Sequence, residues 1–394
     1  MRVYFDYNAT TPLAPQVAEA VLRVSRDVFG NASSIHHFGQ QAKSTMDEAR
    51  SAVAGLVNAD PSEIVFTSGG TESDNLAIRG AAEALEPTGR RHLIASSIEH
   101  EAVINTLRAL AKRGWRTTLM PVDASGIVSP DRLRELIDSD TALVSVMHAN
   151  NEIGTIQPIA ALAAIAHERG ALMHTDAVQS AGKIPVDVRA LGVDLLSLSA
   201  HKFNGPKGGG ALWIKRGTRM LPTMTGGKHE RNRRAGTENV AAIAGLGVAA
   251  ALAAGKMTAE GARLSALRDR LETGILSAVP GTAVNGAPDI RVPNTTNISF
   301  ERVEAESLLI ALDLEGIAVS TGSACSSGTL EPSHVLKAMG LPTHRTQNSL
   351  RFSLGLFSTQ DEVDRVVEVL PRLVEKLRGL TRSGRQPSAV SHQP

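Results

Sequence analysis

Ser197-Leu-Ser-Ala-His-Lys-Phe-Asn-Gly-Pro-Lys-Gly-Gly-Gly210 is the stretch from which the rest of the chain can be read. An apolar run, Val193 to Leu198, leads into Ser199, His201 and Lys202. A glycine-rich turn and a second apolar run, Ala211 to Ile214, follow. The pattern predicts a strand, a polar edge, a hairpin-like return and a strand. Alone, a lysine in such a turn is most often a solvated surface residue. Delivered by a strand end into a Gly/Pro-rich loop, it is also placed to be a fixed, partly desolvated amine that forms a Schiff base with an aldehyde cofactor.

Working outward, short strands are predicted at Ile64-Val-Phe-Thr, His92-Leu-Ile-Ala-Ser, Thr117 to Pro121, Ala142-Leu-Val-Ser-Val-Met, Ala171-Leu-Met-His and Leu195-Leu-Ser-Leu. Helical stretches such as Thr71–Leu85, Glu101–Arg113, Pro130–Ile137 and Ile159–Arg169 lie between them. This alternation predicts an α/β fold with a mostly parallel sheet covered on both faces. After an Ala-rich helix, Val240 to Ala254, the pattern changes to a smaller α+β unit. It has helices at Leu264–Val279, Glu306–Leu314 and Gln360–Leu380, and strands at Asn297-Ile-Ser-Phe, Ile317-Ala-Val-Ser and Leu350-Arg-Phe-Ser-Leu. The expected division is a large domain over 15–255, a small one from 1–14 and 256–380, and a disordered Ser/Arg/Gln/Pro-rich tail over 381–394.

The composition is that of a soluble globular enzyme. The chain has 394 residues, 42% hydrophobic and 21% charged, with 41 Lys+Arg against 40 Asp+Glu and a net charge of +1. That balance gives no support for a nucleic-acid or membrane-surface role. A single cysteine, Cys325, excludes an intrachain disulfide and points to the cytoplasm. The apolar segment Val240 to Ala254 is read as too short to span a bilayer.

In an open α/β sheet the ligands lie outside the carboxyl ends of the strands. Five such ends are polar here: Thr67-Ser-Gly-Gly-Thr-Glu-Ser73, Glu99-His100, His148-Ala-Asn-Asn-Glu152, Asp176-Ala-Val-Gln179 and Ser199-Ala-His-Lys202. Each alone has an ordinary structural explanation, as a helix cap, a solvated turn residue or a structural histidine. Together they provide what pyridoxal phosphate needs. Gly70, Thr71, Ser199 and His201 form a phosphate cradle at a helix start. Asp176 is an anion for the ring nitrogen, Gln179 a donor for the ring oxygen, His100 a cover for the ring and Lys202 the amine. Competing motifs fail. Gly245-Leu-Gly-Val-Ala-Ala250 has loose dinucleotide-binding spacing but lies in an Ala-rich helix after no strand, and Pro206-Lys-Gly-Gly-Gly210 is not a P-loop. Gly226 to Asn239 is a basic, glycine-flanked loop that reads as charged surface or as a cover for the cofactor.

Cys325 sits in Ser320-Thr-Gly-Ser-Ala-Cys-Ser-Ser-Gly-Thr329. Free cysteines are usually small buried hydrophobes. This Gly/Ser-rich setting instead describes an exposed loop, and an exposed thiol is a candidate nucleophile where its surroundings favour the thiolate. Arg351, in Ser349-Leu-Arg-Phe-Ser353, is placed either for a surface ion pair or for bidentate capture of a substrate carboxylate.

These motifs, with Asp6-Tyr-Asn-Ala-Thr-Thr-Pro12, Asn150-Asn-Glu-Ile-Gly154, His174-Thr-Asp-Ala-Val-Gln179 and Arg234-Ala-Gly-Thr-Glu-Asn239, resemble the cysteine desulfurases of the class-V aminotransferase group. These are fold-type I pyridoxal-phosphate enzymes, and the resemblance runs from about Tyr4 to about Leu380. It implies a seven-stranded, mostly parallel large-domain sheet. The Cys325 loop, continuing to Leu330-Glu-Pro-Ser-His-Val-Leu336, is similar to the long-loop branch and looks closest to the nitrogen-fixation-associated enzyme. The resemblance implies that Lys202 carries the cofactor and moves the substrate α-proton, while His100 stacks on the ring and helps move protons. Asn151 and Gln179 would contact cofactor or substrate, Arg351 would bind the L-cysteine carboxylate, and Thr237 would reach the phosphate of the other subunit of a homodimer. Cys325 would take the substrate sulfur as a persulfide, leaving alanine. It would then pass the sulfur to an iron–sulfur scaffold protein, with which it is also a candidate shared cluster ligand. One departure is Thr346-Gln-Asn-Ser349, where relatives usually carry a histidine in place of Gln347.

Two other readings use the same residues. A selenocysteine lyase, or another class-V lyase or transaminase, needs Lys202 but not Cys325. A binding protein that kept the fold without catalysis would carry no bound chromophore.

Overall fold

The computed structural model describes residues 2–322 and 332–382. Twelve strands occur among them: β1 (Val3–Tyr4), β2 (Ile64–Thr67), β3 (His92–Ser96), β4 (Arg116–Met120), β5 (Thr141–Ser145), β6 (Leu172–Asp176), β7 (Leu195–Ser199), β8 (Gly210–Ile214), β9 (Thr282–Asn285), β10 (Thr295–Phe300), β11 (Ile317–Ala318) and β12 (Ser349–Ser353). Seven form the main sheet in the order β2-β8-β7-β6-β5-β3-β4. All its pairings are parallel except those of β8, which runs antiparallel to both β2 and β7. The hairpin-like return predicted after Lys202 is this reversal.

Every residue of β2, β3, β5, β7 and β8 is buried. Helices cover both faces of the sheet, so these strands read as continuous apolar runs rather than alternating ones. The edge strand β4 is different: Arg116 and Leu119 are exposed, and only Met120 is buried. One core lies between the sheet and the helices Pro15–Asp27, His37–Leu56 and Ile159–Glu168, and includes Val53, Phe66, Val144, Leu162, Leu198 and Leu246. The opposite face packs Leu76, Ile78, Leu93, Leu107, Leu143 and Leu212.

A second unit is built on the antiparallel sheet β12-β10-β9 and the parallel pair β1-β11. Its core holds Phe5, Leu271, Ile275, Phe300, Leu312, Phe352, Val366 and Leu370. The N-terminal strand thus packs with residues some three hundred positions downstream. Strands β1 and β9 and the short helices Val188–Leu191, His334–Ala338 and Thr343–Gln347 carry too few residues for a periodic signal.

The two helices expected on either side of Gly255 are one helix, Val240–Ala278, of 39 residues. A glycine inside a helix costs about 1 kcal/mol, which packing at both ends outweighs. Ile243, Leu246 and Ala249 belong to the first core, and Leu264, Leu271 and Ile275 to the second. By length and composition this helix could cross a membrane, so the shortness argued from the sequence does not hold. Its small residues are used in packing instead. A Cβ on Gly247 would lie 2.5 Å from the Cα of Ala49, so the helix backbone is pressed against the helix His37–Leu56. The C-terminal helix Gln360–Arg382 continues through Thr381 and Arg382, and the remainder of the expected tail lies outside the described residues.

Candidate active site

The carboxyl ends of β2, β3, β5, β6 and β7 open on one edge of the sheet, and the N-terminal segment Asp6–Thr11 crosses in front of them. Lys202 follows β7 in a single turn of 3-10 helix, Ala200–Lys202. Its Nζ donates to the carbonyl oxygens of Asn8 at 2.7 Å and Ala9 at 2.8 Å. Behind it runs an apolar groove lined by Tyr7, Phe203, Met257 and Leu354. Burial, and next the Arg351 charge, lower the Lys202 ammonium to about 8, against the opposing pull of Asp176 and Asp6. An amine with this value exchanges protons near neutral pH.

The turn after β2 is made for close approach. Gly69 has φ 153° and ψ −176°, a conformation open only to glycine. A Cβ on Gly210, the first residue of β8, would lie 2.5 Å from the Cα of Gly69, so two glycines let strand and turn touch. Gly70 and Thr71 begin the helix Gly70–Leu85, and Thr71 is exposed. Beside this turn the Ser199 hydroxyl is buried and has no hydrogen-bond partner among the described residues. An orphaned buried hydroxyl facing a helix start fits a phosphate that is to be bound there. His201 Nδ1 lies 3.1 Å from Thr10 Oγ1. Burial, then the charges of Lys202, Lys207 and Lys183, lower its pKa to about 4, so the ring is neutral.

Asp176 ends β6, is 5% exposed, and accepts the Val178 N–H at 2.8 Å. Burial raises its pKa, opposed by the Val178 hydrogen bond, His100 and Lys202. A buried carboxyl of this kind gains from a cationic partner such as a protonated ring nitrogen. His100 is exposed and caps the helix Glu101–Ala111, its Nδ1 accepting from the Ala102 N–H at 3.1 Å. Gln179 donates from Nε2 to Asn8 O at 3.0 Å. Asn151 stands on a turn whose shape Asn150 sets, with Asn150 Oδ1 accepting from Glu152 N and Ile153 N. The carbonyl of Asn151 accepts from Asn8 Nδ2 at 3.1 Å and Arg351 Nη1 at 3.0 Å.

Arg351, 4% exposed in β12, is not a surface residue. Its Nη2 pairs with Asp6 Oδ1 at 2.6 Å. The structure therefore brings together Gly70, Thr71, His100, Asn151, Asp176, Gln179, Ser199, His201, Lys202 and Arg351. Thr237 is exposed in the segment preceding the helix Val240–Ala278. Cys325 lies outside the described residues. Gln347 is exposed at the end of the helix Thr343–Gln347.

Several residues with a part in the site were not predicted. Asn8 joins both units: its side chain bonds Thr295 Oγ1, Asn294 Nδ2, Lys183 Nζ and the Asn151 carbonyl, and its backbone bonds Ser353, Gln179 and Lys202. Asn8 lies within the motif Asp6–Pro12, but only the fold assembles its partners. Glu99 accepts from Met147 N at 2.8 Å and from the Ser96 hydroxyl. Burial raises its pKa to about 8, so it holds a proton at neutrality. His174 bonds Ser145 and Ser197 and is lowered by burial to about 3, while His148 bonds Ser180 and is lowered to about 4. Both are neutral structural histidines. In the basic loop Glu230 is the anchor. It is buried, takes both Arg50 Nη groups at 2.8 Å, and accepts the Phe66 N–H at 2.9 Å. Arg234 pairs with Glu72 in the first turn of the helix Gly70–Leu85, which holds the loop beside the proposed cradle.

The sequence model of the class-V aminotransferase family matches residues 3–366. The chain is 51% identical over 379 residues to a cysteine desulfurase IscS of Dictyoglomus turgidum, covering 96% of each. Among solved structures it is similar to a NifS-like protein, with a TM-score of 0.90 and 38% identity over 96% of this chain and all of that one. It is also similar to SspA in complex with cysteine, with a TM-score of 0.79 and 36% identity over 91% of this chain and all of that one.

Proposed function

The chain belongs to the class-V aminotransferase family as a cysteine desulfurase, and from that premise we propose that the residues around Lys202 hold pyridoxal phosphate and L-cysteine. The observation that carries the reading is the buried, unpartnered Ser199 hydroxyl beside the Gly69–Gly70 turn, on the same sheet edge as Lys202 and Asp176. When bound, the cofactor supplies an aldehyde that links to amino groups and a ring that accepts electrons. Gly70, Thr71, Ser199 and His201 would hold its phosphate, Asp176 would keep the ring nitrogen protonated, Gln179 would donate to the ring oxygen and His100 would cover the ring. Lys202 would be the amine that its aldehyde takes and would carry the substrate α-proton. Asn151 and Arg351 orient the cysteine carboxylate, with Arg351 exchanging part of its bond to Asp6 for the substrate.

Cys325, as thiolate, attacks the substrate sulfur. The carbon–sulfur bond breaks, a sulfur–sulfur bond forms, and the substrate carbon takes a proton. Cysteine and enzyme thiol thus become alanine and enzyme persulfide without external oxidant or reductant. The acceptor of that sulfur is an iron–sulfur scaffold, with Cys325 the point of contact. The need for a free thiol at the chain's single cysteine supports a reducing, cytosolic setting for the reaction.

The enzyme is a homodimer in this reading. Leu22, Phe29, Ile35 and Phe38 are 68%, 70%, 93% and 48% exposed, and the rings of Phe29 and Phe38 lie 5.0 Å apart. Exposed apolar side chains of this kind favour coverage by another protein surface. Across such an interface Thr237 would reach the partner's phosphate.

The test is to supply the purified protein with L-cysteine and a thiol reductant and to measure alanine and sulfide. Equal amounts of both are expected. Cys325→Ala should retain the visible band of bound cofactor and lose turnover, whereas Lys202→Ala should lose the band. Turnover surviving in Cys325→Ala would instead favour a lyase that does not use the thiol.

A further inference from the structure

A second amine lies beside Lys202. Lys183 follows β6 by one turn and donates from Nζ to Gln179 Oε1 at 2.7 Å and to Asn8 Oδ1 at 3.1 Å. Burial, then the charges of Lys202 and Arg351, hold its pKa well below the ordinary lysine value. Nothing in the reaction uses it directly.

Its effect on Gln179 follows from donor chemistry. A lysine amine carries N–H donors in either protonation state, and Gln179 turns Oε1 toward Lys183. Its Nε2 then faces the Asn8 carbonyl, which it meets at 3.0 Å and which also accepts from Lys202 at 2.7 Å. A flipped amide would set Oε1 against the Asn8 carbonyl oxygen, acceptor against acceptor. The amide is fixed at both ends, and the second Nε2 hydrogen is left for a ligand. Through Asn8, whose Nδ2 donates to the Asn151 carbonyl, the same amine is tied to the strand that carries Arg351, which donates to that carbonyl as well.

We propose that Lys183 is a positioning residue: it fixes the Gln179 amide so that an N–H, not an oxygen, faces the ring oxygen of the cofactor. The inference rests on the cofactor reading above and deepens it. Without Lys183 the amide loses one of its two restraints, and the donor to the ring oxygen is held less firmly.

The test is a double-mutant cycle on the holoenzyme with Lys183→Met, which keeps the aliphatic stem, Gln179→Ala, and the two combined. The measurements are the pH midpoint of the bound cofactor's visible band and the affinity of cofactor-stripped protein for pyridoxal phosphate by fluorescence. Each single variant is expected to raise the midpoint by about half a unit or more and to weaken the cofactor by about 5-fold or more, in line with one hydrogen bond. The double variant should match Gln179→Ala alone, because Lys183 acts through that amide. Additive shifts would overturn the proposal, since a lysine acting only by its charge would move the midpoint whether or not Gln179 is present. An unshifted Lys183→Met would also overturn it. Should Lys183→Met fail to fold, as judged by its thermal midpoint, Lys183→Leu, which likewise carries no donor, serves in its place with the same expectation. A wild-type protein that takes up no pyridoxal phosphate would remove the cofactor reading itself, and this inference with it.

Discussion

Lys202 shows how one side chain depends on its surroundings. In water its amine would be charged at any physiological pH. Here burial brings its pKa from 10.5 to about 8. Below pH 8 the folded, cofactor-free protein carries the full penalty of a buried charge. Between pH 8 and 10.5 the unfolded chain binds more protons than the folded one, so the penalty fades as pH rises, and above 10.5 it is gone. Lys202→Met in cofactor-free protein is therefore expected to be more stable than wild type by on the order of 3 kcal/mol below pH 8. That advantage should disappear between pH 8 and 10.5, as followed by urea unfolding across the range. A gap independent of pH would mean that the amine is not desolvated. Arg351 was legible in sequence only as a choice between a surface ion pair and a carboxylate clamp. Its burial, and its bonds to Asp6 and Asn151, exclude the surface and set it against the Asn151 turn.

At the scale of elements, the turn after β2 and the reversed strand β8 form one device. The sequence showed a glycine turn and a hairpin return as separate motifs, since no periodicity reveals that Gly69 and Gly210 touch. Gly210→Ala would drive a Cβ to within 2.5 Å of the Gly69 backbone. It is expected to destabilise the protein by about 1–3 kcal/mol and to weaken pyridoxal phosphate by about 10-fold or more, since a 1.4 kcal/mol displacement of the cradle already gives that factor. Denaturant midpoint and cofactor titration would report both, and an unchanged cofactor affinity would show that the turn does not hold the phosphate. The basic loop illustrates the opposite limit of reading. Arginines dominate its sequence, yet a glutamate among them holds it in place. Glu230, Arg231 and Asn232 all have positive φ, at 44°, 57° and 64°, strained for residues other than glycine. The buried Glu230–Arg50 pair holds this conformation.

At the scale of the whole molecule, the two units share the long helix and the N-terminal segment. A subunit interface over Phe29, Ile35 and Phe38 would lie outside the chain's own cores. The double variant Phe29→Asp/Phe38→Asp is expected to keep the wild-type circular dichroism of the folded chain, since substitutions at exposed sites cost within about 0.5 kcal/mol each, and to sediment as a monomer. Under the homodimer proposed above it should also bind cofactor less tightly, the partner's Thr237 being withdrawn. A variant that still sediments as a dimer would place the interface elsewhere.

Strand–helix alternation, the polar strand ends and the residue types at Lys202, Asp176, Gln179 and Ser199 were already determined by the sequence. These are local properties, set by side-chain periodicity and by what each residue can donate, accept or bury. The tertiary structure alone decided that Gly255 lies inside one helix, that Gly69 meets Gly210, and that the amide of Gln179 bonds both Lys183 and Asn8. Gly69 against Gly210, and Asn8 against Gln179 and Lys183, are contacts between segments far apart in the chain, and whether a glycine or an amine is tolerated there depends on what the fold brings against it.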